Sequence, residues 1–184
     1  WPLPDRRHYL TYAAFEVHRM LEAQPERQGA REVVVGEDEL ADGVLARYFA
    51  RNLGLKFPQA RERARAFLGS VHEHSNLLVE RGRDQYAFLH LTFEEMLAAK
   101  GIAALAQEGP HVPAAAITRH MAEPGWHETI MLAIGALGIV NQQPLVAGQV
   151  LAALCEQRVP GEQRGQNVVL AGESLLDVGA VGVG

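Results

Sequence analysis

Between Pro4 and Ala23 the apolar residues Leu10, Ala13, Ala14, Val17, Met20 and Leu21 recur at three- and four-residue spacing. That period places them on one face of a helix, which Pro25 and Gly29 close. The β-branched run Val33 to Val35 then reads as a short strand, and an acidic stretch leads into a second helical pattern from Leu40 to Leu53 that stops at Gly54. A third helix starts around Pro58, a residue suited to a first helical turn, and runs to about His74 with Ala60, Ala64, Phe67, Leu68 and Val71 on one side.

The pattern changes period in "NLLVERGRDQYAFLH", residues 76–90. Alternation on both sides of Arg-Gly-Arg-Asp predicts a hairpin, a wing, in which Tyr86, Phe88 and His90 share one face. Helical spacing returns at once. Thr92 with Glu95 three residues on has the spacing of a capping box, and Phe93, Met96, Leu97 and Ala104 are predicted as the buried stripe. Beyond Pro110 shorter apolar helices are predicted near 114–122, 126–139, 144–157 and 166–178, separated by proline and glycine corners. The reading is a mainly α chain with two domains. A winged-helix domain with a small β-hairpin wing occupies 1–109, and α-solenoid-like helices occupy 110–184, without a clean repeat period.

Composition narrows the function classes. The chain has 184 residues, 48% hydrophobic and 21% charged, ordinary for a globular protein. Its net charge of -5 argues against a protein whose main work is to coat a nucleic-acid backbone. A single cysteine, Cys155, provides neither a disulfide framework nor a thiolate zinc site, and makes the cytosol the natural compartment. The longest apolar run, Thr129 to Val140, is too short for a bilayer and contains Gly135 and Gly138, so no membrane partner is expected. The start at Trp1 and the end in "VGAVGVG" suggest a segment of a longer chain.

Motifs for catalysis leave no trace: there is no P-loop, no G-x-S-x-G and no H-E-x-x-H. His72 and His74 flank Glu73, a spacing that splays two imidazoles apart on a helix and suits a solvated helix end better than a metal. His8, His18, His111, His120 and His127 have no carboxylate or thiolate cluster near them in sequence and support no metal or catalytic role.

Two constellations remain. On the third helix, Arg61 and Arg65 align with His72 beside the apolar face, with Lys56 upstream and Arg81 and Arg83 in the wing. These could grip DNA phosphates, as in a winged-helix transcription regulator with an α-helical ligand or dimerisation domain, although Glu62, Glu73, Glu80 and Asp84 are interleaved. His90 ends a strand just before a helix whose free N–H groups and dipole favour anions, so it could donate to a phosphate. The residues alone favour the plainer reading, a half-buried histidine bonded to a carbonyl at the wing corner.

"YAFLHLTFEEMLAA", residues 86–99, resembles the motif Phe-x-His-x-(Thr/Ser)-Phe-Gln-Glu-(Tyr/Phe)-x-Ala-Ala that closes the winged helix of NACHT-type STAND ATPases, the class of NOD-like receptors and of many bacterial signalling and defence proteins. "LTYAAFEVHRMLEA" with "VVVGEDELADGVL" is similar to the first helices of that domain, and "PGWHETIMLAIGAL" with "NVVLAGESLLDVG" to the helical repeats after it. Glu94 replaces the usual Gln and Met96 the usual aromatic residue.

The resemblance implies that His90 reaches the β-phosphate of ADP in a closed state, and that Phe88, Phe93 and Leu97 are core. It also implies that ATP or ADP with Mg binds an ATPase core upstream of this segment, which by itself would not hydrolyse ATP. Exchange of ADP for ATP would release the winged helix, and the full-length protein would then form a homo-oligomer that activates an effector.

Overall fold

The computed structural model describes residues 2–22, 34–75, 77–158 and 165–178. Pro25, Gly29, Val33, Asn76, Pro160-Gly161 and the glycine-rich end after Val178, all used in the sequence reading, lie outside them. The chain divides into two compact units between Leu97 and Ala98.

In the first unit α1 (Leu3–Glu22) is followed by β1 (Val34–Gly36). Next comes α2, whose π-wound start Glu39–Ala46 runs directly into an α-helical part, Arg47–Leu53. Gly54 caps α2 in the left-handed region at φ 64°, a conformation that costs a residue without a Cβ little. Helix α3 (Phe57–Ser75) carries Pro58 in its first turn, where a missing N–H costs no helical hydrogen bond. The first intrahelical bond runs from the Ala60 N–H to the Lys56 carbonyl at 3.0 Å.

The predicted stripes are the core. Leu10, Ala13, Ala14 and Val17 of α1 meet Leu40, Val44, Leu45 and Phe49 of α2 and Ala60, Ala64, Phe67, Leu68 and Val71 of α3, all buried. Met20 packs on this core partly buried. Tyr9, which the spacing did not single out, meets Phe49 and Phe67 edge to face at 4.8 and 5.5 Å between ring centroids.

The hairpin consists of β2 (Leu78–Gly82) and β3 (Gln85–Phe88), turned by Arg83 and Asp84, with Asp84 at φ 58°. Arg81 and Gly82 therefore belong to the strand, and the turn is two residues shorter than the sequence suggests. The sheet order is β1-β3-β2, antiparallel throughout, with Val35 opposite Tyr86 and Leu78 opposite Phe88. β3 ends at Phe88, so His90 does not share a strand face with Tyr86 and Phe88.

Helix α4 (Leu91–Ala104) begins two residues earlier than the capping-box reading requires. His90 supplies the first carbonyl acceptor, and Thr92 lies within the first turn. The buried stripe of α4 also differs: Phe93 is only half-buried, Met96 and Ala104 are exposed, and the inward positions are Glu94, Leu97, Ala98 and Ile102.

The second unit contains the end of α4, a 3-10 turn (Leu105–Glu108), and α5 (His111–His120), α6 (His127–Gly135), α7 (Pro144–Glu156) and α8 (Gln166–Val178). The corner read in sequence as a boundary at 109/110 is the link from the 3-10 turn through Gly109 and Pro110 to α5. A π-wound turn, Ala136–Val140, extends α6, and α7 packs against both α5 and α8. Trp126, fully buried, stacks on His120 with ring centroids 4.1 Å apart. The buried Asn167 donates from Nδ2 to the Leu154 carbonyl at 2.9 Å, capping the end of α7 from the start of α8.

Candidate functional site

Two successive backbone bonds fix His90. The Leu89 N–H donates to the Leu77 carbonyl at 2.9 Å, which finishes the hairpin. The His90 carbonyl then accepts from the N–H groups of Phe93 (3.0 Å) and Glu94 (3.3 Å), which starts α4. The residue is thus the N-cap itself, at the positive end of a helix. Its side chain is exposed, beside the Phe93 ring at 5.7 Å between centroids, and among the described residues it makes no hydrogen bond or ion pair. That geometry is not the half-buried, carbonyl-bonded histidine that the residues alone favour. An exposed imidazole beside first-turn N–H groups fits one phosphate, and the rest of a nucleotide would need other residues to hold it.

Directly beneath this turn lies a pair that sequence reasoning missed. His18 Nδ1 of α1 and Glu94 Oε1 of α4 are 3.0 Å apart, with side chains only 2% and 1% exposed, and join positions 76 residues apart. Burial pushes the Glu94 carboxyl above the ordinary value, and the hydrogen bond and charge of His18 pull it back only in part. The available signal was the four-residue spacing of Glu94, Ala98 and Ile102, which continues the apolar face of α4 onto an acidic residue.

The arginines proposed for nucleic acid are turned to acidic residues of the same unit. Arg65 reaches Asp38 at 2.6 Å and Asp42 at 2.9 Å, with Glu37 at 3.7 Å, and Arg61 reaches Asp42 at 2.7 Å. Hydrogen bonds from Arg61 and Arg65 hold the Asp42 carboxyl below the usual range. Arg83 stands at the exposed turn 3.7 Å from Asp84. The structure therefore brings Arg61 and Arg65 together on an acidic cluster, and leaves Arg83 and His90 out of it.

Three further histidines make local contacts. His8 hydrogen-bonds the Tyr48 hydroxyl, His74 Nδ1 lies 3.0 Å from the Ser70 carbonyl, and His127 lies 3.4 Å from Glu173. Among the described residues no group of three His, Cys, Asp or Glu side chains could hold a metal ion, and no helix is long and apolar enough to cross a membrane.

The order α1–β1–α2–α3–β2–β3, with a three-stranded antiparallel sheet and a two-residue hairpin turn, defines a winged-helix domain. Residues 14–102 match the family model of the winged helix-turn-helix domain C-terminal to NACHT. No curated protein and no solved structure matches the chain.

Proposed function

We propose that this chain is a non-catalytic regulatory element that couples the nucleotide state of a NACHT ATPase core to assembly of the protein that carries both. The observation that carries the reading is the position of His90. In a domain that matches the family model of the winged helix C-terminal to NACHT, it presents an exposed imidazole at the N-cap of α4. ADP with Mg in the core would offer its β-phosphate to this imidazole and hold the winged helix closed. Exchange to ATP would remove that contact, and a ligand that touches one arrangement and not the other shifts the balance between them. The core would then be free to form a homo-oligomer and activate an effector, in the manner of cytoplasmic signalling or bacterial defence proteins. The helices from α5 onward would be the first units of a repeat arm that senses the signal.

The test uses the protein in which a NACHT core precedes this winged helix. Purified His90→Ala protein should retain less ADP than the unaltered protein and assemble at a lower level of the activating signal. Equal ADP content and an unchanged assembly threshold would remove the sensor role.

The DNA-binding alternative gains no support from the geometry. Arg61 and Arg65, its main contacts, are already engaged by Asp38 and Asp42.

A further inference from the structure

We propose that His18 and Glu94 form a proton-sensitive latch between α1 and the first turn of α4. The inference rests on the geometry of the first unit alone and does not depend on nucleotide binding.

The 3.0 Å contact between Nδ1 and Oε1 requires one hydrogen between the two atoms. An ionised Glu94 accepts it from the Nδ1–H of His18, and a protonated Glu94 donates its own hydrogen to a bare Nδ1. The contact thus persists through the titration, but its cost changes. With side chains 2% and 1% exposed, water cannot solvate the carboxylate, so ionisation leaves a buried charge that His18 must compensate. Among the described residues His18 is the only charged or titratable group that acts appreciably on Glu94. Glu16 and Arg19, the nearest charges in sequence on α1, close on each other at 2.7 Å. Where the resembled motif has Gln, a neutral amide would make the same bond without titrating. Glu94 converts a fixed joint into one that responds to pH.

The sign follows from where the proton binds more tightly. Burial raises the proton affinity of Glu94 in the folded chain above that of the unfolded chain. The stabilisation of the turn is therefore complete below the ordinary glutamate value of about 4.3 and declines as pH rises through the higher folded value. Loosening acts first on the Phe93 and Glu94 N–H groups, which bond the His90 carbonyl and hold the N-cap.

The test follows the Glu94 side-chain carboxyl by carbon NMR in the 184-residue chain. It is combined with amide-exchange protection factors for Phe93 and Glu94 between pH 4 and 8. In the unaltered chain the midpoint should lie above about 4.3. In His18→Gln it should move higher still, because the group that pulls it back is gone. Protection of the two amides should fall across the same window, at most about tenfold per pH unit, the limit for one proton. In Glu94→Gln protection should stay level. A Glu94 midpoint at or below the ordinary value, a midpoint unmoved in His18→Gln, or equal pH profiles in the unaltered chain and Glu94→Gln would each overturn the latch. If a variant does not fold, the midpoint in the unaltered chain decides.

Discussion

Arg65 reaches three carboxylates, Glu37, Asp38 and Asp42, from the middle of α3 and ties it to the start of α2. Partly exposed ion pairs contribute little singly, but a guanidinium shared among several carboxylates lies at the upper end of their range. Arg65→Ala should lower stability by about 1 kcal/mol in denaturant titrations near neutral pH. Because the folded Asp42 carboxyl is held below its ordinary value, this contribution is present above that value and disappears as pH falls through the depressed one. The two proteins should therefore converge as acid protonates Asp42, and a stability gap that stays constant through that protonation would contradict the assignment. Sequence alone shows Arg61 and Arg65 on an open helix face because their acidic partners lie on another helix. The His18 and Glu94 pair is hidden for the same reason: local spacing carries no sign of a partner 76 residues away.

Elements were more legible than contacts. The apolar periods of α1, α2 and α3 identify their buried faces because each helix has one side against the core, and Gly54 marks the end of α2. An added Cβ at Gly54 would meet nothing within 4 Å, so Gly54→Ala should cost only the left-handed backbone, about 1 kcal/mol. Phe67, fully buried against Tyr9 and Phe49, is different: Phe67→Ala should cost about 3–5 kcal/mol through lost burial and a cavity. Unfolding midpoints that rank these two substitutions in the opposite order would contradict the described core. The junction from β3 to α4 was misjudged because alternation continues in the sequence through His90. The backbone instead leaves the sheet at Leu89, and the His90 carbonyl serves as helix cap rather than strand partner. The inward face of α4 was hidden too, since an acidic residue at its first buried position reads as surface.

At the scale of the whole molecule, net charge weighs against a protein whose main work is to coat a nucleic-acid backbone. The chain carries a net charge of -5. Its winged helix matches the family model of the winged helix-turn-helix domain C-terminal to NACHT over residues 14–102. The 184-residue chain should show no retention of duplex DNA at low salt, and a salt-dependent affinity that drops in Arg61→Glu/Arg65→Glu would contradict that expectation. The proposed role of His90 as a sensor of the phosphate of bound ADP is tested by the rate of ADP release from the protein containing the NACHT core. A hydrogen bond to a charged phosphate contributes about 1.5–3 kcal/mol, so His90→Ala should release ADP roughly ten- to a hundredfold faster. Release at the unaltered rate would show that the imidazole at the head of α4 does not touch the nucleotide.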